Sequence, residues 1–296
     1  MVDARPARWA AAALLLNALI WGLTWWPLRE LQQHGLHPLW ATALASWFAL
    51  LCVMVWRPGA VRAGLQWPML AWLALASGLT NLGFNWAVTV GDVVRVVLLF
   101  YLMPAWAVLL AWPILGEKPS AMALLRLALA LAGVLLVLKQ PDASWPVPRS
   151  LPDFLALGAG LAFALTNIML RKLRHSPSEA RMVAMFGGAA MMATTAALLG
   201  GYAGWVPGFP APQTAWLLLA AGLAIAFLVG NLALQFGAAQ LRSATTSLVM
   251  LSEIVFATIS SVLLGAATLD SRTLIGGVLI LAAAFWAAWA ERDDAS

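Results

Sequence analysis

Long uncharged apolar stretches alternate with short polar segments along almost the whole chain. Residues 9–28, 38–56, 96–116 and 273–290 carry no Asp, Glu, Lys or Arg. Each has the length of a helix that crosses a bilayer core, roughly 17 to 25 residues. Residues 182–241 are uncharged too, and too long for one span. The segment GGYAGWVPGFPAPQ at 200–213 divides them, because its glycines and prolines cannot continue a helix. Strands of a membrane barrel would alternate apolar and polar residues, and these runs do not. The pattern predicts ten helical spans: 9–28, 38–56, 67–90, 94–115, 120–138, 152–171, 180–200, 213–239, 243–265 and 272–290.

Composition gives the same answer. The chain is 63% hydrophobic and 10% charged, whereas a soluble domain carries about a quarter charged residues. Lipid must cover most of its surface. The expected class is an all-α integral membrane protein. The net charge of +5 does not point to nucleic acid, because the basic residues sit at span ends. Cys52 is the only cysteine, so no intrachain disulfide can form. The first apolar run lacks a small-residue cleavage site and reads as a retained helix.

Basic residues set the orientation. With both termini cytoplasmic, inner segments hold eleven Lys and Arg, densest in RKLRHSPSEAR at 171–181, and outer segments hold five. Multi-pass insertion in a bacterial inner membrane follows as the expected location.

One stretch is written twice. VRVVLLFYLMPAWAVLLAWPILGEK begins at Val94, and SATTSLVMLSEIVFATISSVLLGAA begins at Ser243. Lining up Gly116 with Gly265 sets Tyr101 against Met250 and Pro104 against Glu253. Upstream, Asn81 falls against Asn231 and Asn85 against Gln235. In the first helix of each half, Trp21 matches Phe163, Thr24 matches Thr166, Trp25 matches Asn167 and Arg29 matches Arg171. Five helices per copy is odd, so the second copy crosses the membrane in the opposite sense. The expected organisation is a first repeat over 1–140, a linker over 141–151 and an inverted repeat over 152–296. A substrate site then belongs between the halves near mid-depth.

Polar side chains inside spans are costly and need a reason. Ser77, Asn81, Asn85 and Thr89 recur at steps of four, one face of a helix. Asn231 and Gln235 repeat that step. A central cavity lined by Trp21, Thr24, Trp25, Asn81, Asn85, Tyr101, Phe163, Thr166, Asn167, Asn231, Gln235 and Met250 accounts for both stripes. Amides and hydroxyls would bind an ammonium and a carboxylate, and the aromatic rings would pack a side chain. The same amides can instead be interhelical glue. Glu253 is the one acid deep in a span, a candidate proton carrier. Pro104 is a candidate hinge. Asp92 and Arg95, three residues apart at a span end, suggest a boundary ion pair or an outer gate. His34, His37 and His175 lie in loops without metal spacing, and no cofactor is expected. No nucleophile, P-loop or metal motif suggests an enzyme.

Trp21-Gly22 in LNALIWGLTW, the P…GE pattern of Pro104 and Glu117 in LMPAWAVLLAWPILGEK, and LLRLALALAGVLLVL resemble the drug/metabolite transporter superfamily, in its EamA-like branch of ten-helix carriers. The similarity spans essentially the whole chain. The second half departs where Glu253-Ile254 replaces a common Glu-Pro and Ala266 replaces a glutamate. Within this branch the Trp-rich first helix is most similar to YddG-type exporters of aromatic amino acids. The resemblance implies a monomeric secondary carrier that exports small metabolites, amino acids first, by alternating access. A broad-specificity drug exporter is the rival, although the first helix lacks the acid on which small multidrug exporters rely.

Overall fold

The computed structural model describes residues 4–116, 121–139, 148–173, 175–211, 213–240, 249–250, 252–267 and 269–293. They form helices α1 (Ala4–Leu23), α2 (Trp25–Gln33), α3 (Pro38–Trp56), α4 (Ala60–Leu65), α5 (Leu70–Val90), α6 (Val93–Phe100) and α7 (Met103–Leu115). After these come α8 (Ala121–Leu138), α9 (Leu151–Lys172), α10 (Ser178–Tyr202), α11 (Thr214–Gln240), α12 (Ser252–Leu263) and α13 (Ser271–Asp293). No strand occurs among the described residues.

Among the described residues, five helical segments are long and apolar enough to cross a membrane: Trp9–Gln33, Pro38–Trp56, Leu151–Leu170, Ser178–Tyr202 and Trp216–Leu234. Shorter apolar helices cover Val93–Ala107, Leu124–Val137, Ser252–Leu263 and Ser271–Ala283.

Two expected helices are not continuous. The first extends beyond residue 28, to Gln33, and its regular pattern is interrupted at Thr24, between α1 and α2, where the backbone keeps helical angles. Pro27 has no N–H to give the Leu23 carbonyl. The Thr24 hydroxyl donates to the Ile20 carbonyl at 2.7 Å, a back-bond that bends helices. The fourth breaks at Tyr101–Leu102, between α6 and α7. Pro104 lacks the N–H that would close on the Phe100 carbonyl. That carbonyl lies where a Cβ on Gly160 would come within 2.6 Å of it, so α9 approaches the break closely. Gly116 and Gly265, aligned in the sequence, both take the left-handed conformation past the ends of α7 and α12, at φ 76° and 67°. Glycine adopts it without a Cβ penalty.

Packing runs between the two halves of the chain. Helix α5 lies on α9 and α10, and α11 lies on α1 and α3. Helices α6 and α7 lie on α9, while α12 lies on α1. Helix α3 meets α10, and α8 meets α13. Exchanging the two halves maps this set of contacts onto itself. Gly133 and Gly276 let α8 and α13 touch by backbone: a Cβ on either would meet the other's carbonyl oxygen at 2.6 to 2.7 Å.

The largest buried cluster joins Trp25, Leu28, Val93, Val94, Val97, Leu99, Phe100, Tyr101, Trp216, Phe227, Ile254 and Ile280. It fills the end of the bundle where α2 and α5 finish and α6 begins. Smaller clusters at the opposite end centre on Leu70, Leu73, Ile168 and Met169, and on Leu50, Val53, Met182 and Phe186.

Candidate functional site at the seam between the halves

The break after α6 delivers Tyr101 to the seam. Its ring is buried, and its hydroxyl lies 3.0 Å from Glu253 Oε2 and 3.1 Å from the Met250 carbonyl. Glu253, in the first turn of α12, is buried as well. One hydroxyl proton cannot serve both acceptors. A neutral carboxyl satisfies everything, since it can donate to the tyrosine oxygen while the hydroxyl donates to Met250. A carboxylate takes the hydroxyl's proton and leaves the carbonyl without it. The pair can therefore hold or release one proton with a defined rearrangement of hydrogen bonds.

Aromatic rings gather around this pair. Trp21 stacks on Phe227 of α11 at 5.0 Å and 17°. The buried Trp25 donates its indole N–H to the Ser260 hydroxyl of α12 at 3.0 Å. Phe163 meets Phe100 at 5.4 Å, and Phe100 meets Phe84 and Tyr101 at 4.7 and 5.9 Å. The Trp106 indole N–H is buried without a partner.

The amides divide. Asn85 is fully buried; its Nδ2 donates to the Thr42 hydroxyl at 3.1 Å and its Oδ1 has no partner. Asn81 donates to the Ser77 carbonyl of its own helix at 2.9 Å. Asn231 is buried. Asn17 donates to the Gly230 carbonyl at 2.7 Å and keeps an unpartnered Oδ1. Thr166 back-bonds to the Ala162 carbonyl at 2.9 Å. Asn167 is exposed, unlike its sequence match Trp25. The side chains of Gln235 and Pro104 lie outside the described set.

An ion-pair network lies at the densely packed end. Asp92 caps α6 by accepting the Arg95 N–H at 2.8 Å. The Arg95 guanidinium forks onto Asp153 of α9, Nε to Oδ1 at 2.7 Å and Nη2 to Oδ2 at 3.0 Å, and reaches the Val137 carbonyl. Arg29 donates to the Val88, Thr89 and Gly91 carbonyls where α5 ends, and to Ala266 at 3.4 Å. Cations at a helix C-terminus complement its dipole. Asp153 was absent from the sequence candidates; an acid in the first turn of a span was the available signal.

The apolar hollow lined by Cys52, Val53, Trp56, Leu228 and Leu232 lies between α3 and α11, away from these groups.

The pattern defining the EamA-like transporter family matches residues 8–139 and again residues 150–289. No curated protein matches the chain. A solved structure titled only as the crystal structure of a protein superposes with a TM-score of 0.59 at 20% identity, over 97% of this chain and 99% of that one. That likeness concerns the fold. The double match covers most of the sequence and both halves, with apolar helices throughout: the chain is a multi-pass membrane protein and belongs to the EamA-like transporter family.

Proposed function

We propose that the protein exports small metabolites, neutral and aromatic amino acids foremost, from the cytoplasm by alternating access. In this reading ten spans form two inverted five-helix repeats, both termini face the cytoplasm, and a single copy works in a bacterial inner membrane. The observation that carries it is the seam itself. Trp21, Trp25, Tyr101 and Phe163 each contact the other half there, beside a buried carboxyl, and the amide oxygens of Asn17 and Asn85 are buried without a partner. Aromatic faces suit an apolar side chain, and amide oxygens suit an ammonium group. No basic side chain joins the groups named at mid-seam, so a zwitterion or neutral molecule fits better than a phosphate.

Glu253 is the proposed coupling residue, since the Tyr101 and Met250 hydrogen bonds change when its proton leaves. Asn81, Thr24, Thr166, Asn231, Gln235 and Met250 are proposed to complete the lining, and Pro104 to hinge α7.

Purified protein in liposomes tests this. Labelled Phe or Trp should cross the bilayer faster than in empty vesicles, and Glu253→Gln should flatten the pH dependence. Transport of hydrophobic cations with none of any amino acid would replace this proposal by a drug exporter.

A further inference from the structure

We infer that the Arg95–Asp153 ion pair is a one-sided latch: it clamps the two repeats together at the end where α6 begins and must part before that end opens. The inference rests on the carrier reading above. Arg95 lies in the first repeat and Asp153 in the second, on α6 and α9. Their bond is two-pronged, and the Asp153 side chain is 1% exposed against 19% for Arg95. Asp153 also accepts the Arg149 N–H at 3.3 Å. Arg29 adds a second tie, from α2 to the carbonyls ending α5 and to Ala266 beyond α12. Beneath both lies the largest apolar cluster, including Val94, Val97, Ala156 and Ala267.

A surface ion pair would have little effect on an equilibrium. This one excludes water from Asp153, and separating it strands a charge unless the end opens far enough to hydrate both partners. The pair therefore opposes partial opening and permits only a cooperative one.

The repeat alignment gives this pair no charged counterpart: Arg95 falls against Ala244 and Asp153 against Ala11. Two identical repeats would make both access states equal in energy. An ion pair that one copy carries and the other does not repeat tilts that balance toward the state closed there, which by the charge bias is the outer side. The resting carrier then waits open to the cytoplasm, as an exporter must to load.

Thiol labelling of the full-length protein in nanodiscs tests this, in a Cys52→Ser background. One reporter is Ala156→Cys, in α9 one turn below Asp153 and fully buried. The other is Met250→Cys, across the seam. The readout is the ratio of their labelling rates with a membrane-impermeant maleimide. Asp153→Asn should raise the Ala156-to-Met250 ratio by about tenfold or more, as a population shift requires. Arg95→Gln should do the same independently, and Arg95→Asp with Asp153→Arg should bring the ratio back. An unchanged ratio in both single variants overturns the latch, including the case where both sites label faster together because the bundle has merely loosened. Amino-acid transport by the unaltered protein is measured separately: its absence would end the carrier reading while the labelling ratio still judged the clamp.

Discussion

Tyr101 and Met250 occupy matching positions in the two repeats, and they touch: the tyrosine hydroxyl lies 3.1 Å from the Met250 carbonyl. A residue that contacts its own counterpart lies beside the axis relating the copies. Glu253, one turn on, breaks the symmetry there, because its counterpart is Pro104.

The Tyr101–Glu253 bond should be measurable by a double-mutant cycle. Tyr101→Phe removes the hydroxyl and leaves a buried carboxyl without its partner, at a cost of about 1 to 3 kcal/mol. Glu253→Gln keeps an acceptor for that hydroxyl and should cost less. In thermal unfolding in detergent the double variant should be less destabilised than the two singles added. Additive effects would mean that the two groups do not communicate.

Gly133 and Gly276 should tolerate no side chain. A Cβ at either would sit 2.6 to 2.7 Å from backbone oxygen, which no rotamer change relieves. Gly133→Val should cost at least about 1 to 3 kcal/mol, the usual penalty of overpacking. Gly208→Ala, where a Cβ would meet nothing within 4 Å, is the control and should leave the unfolding temperature unchanged.

Trp25 and Trp21 should separate in their effects. Trp25→Phe loses the Ser260 hydrogen bond and should lower stability by about 0.5 to 1.5 kcal/mol, as should Ser260→Ala. Trp21→Leu loses a stacked ring, about 0.5 to 1.5 kcal/mol beyond burial, and on the proposed function it also weakens amino-acid binding. Tryptophan uptake unaltered in Trp21→Leu liposomes would remove it from the substrate site.

Asp270 should make one small contribution that depends on pH. It caps α13, accepting the Thr273 N–H at 2.8 Å, and hydrogen bonds from Thr273 hold its carboxyl below the ordinary range. A carboxyl depressed on folding stabilises the fold above its unfolded pKa, near 3.9, and that stabilisation fades as pH falls through the lower folded value. Asp270 is exposed, so the effect belongs at the bottom of the capping range, about 0.5 kcal/mol. The gap in unfolding temperature between the native protein and Asp270→Ala should be open at pH 7 and narrow by pH 3.

The sequence carried the fold far because bilayer thickness dictates the length of an apolar run, and a doubled run dictates a doubled structure. The double family match and the exchange-symmetric packing of α5, α9, α11 and α1 agree with that. The breaks at Thr24 and Tyr101 were harder to see. Hydrophobicity is indifferent to whether a backbone hydrogen bond is missing, and only Pro27 and Pro104 hinted at it. At Arg95 spacing told only part: Asp92 accepts the Arg95 N–H and caps the helix, while the guanidinium also reaches an acid 58 residues on, which no local spacing could show. Alignment paired Trp25 with Asn167, yet one is buried and the other exposed, since equivalence of position does not fix which way a side chain faces.

The exchange of partners between α5, α9 and α10 on one side and α11, α1 and α3 on the other has a consequence for synthesis. Neither half can bury its interior alone, because the surfaces each needs are encoded in the other. At about 5 to 20 residues per second the ribosome takes roughly 10 to 30 s to add the second half. Through that interval Asn17 and Arg95 wait without the Gly230 carbonyl and the Asp153 carboxylate that later meet them. The newborn first half is thus an open-faced intermediate, and the end of translation is the moment at which the molecule can first close.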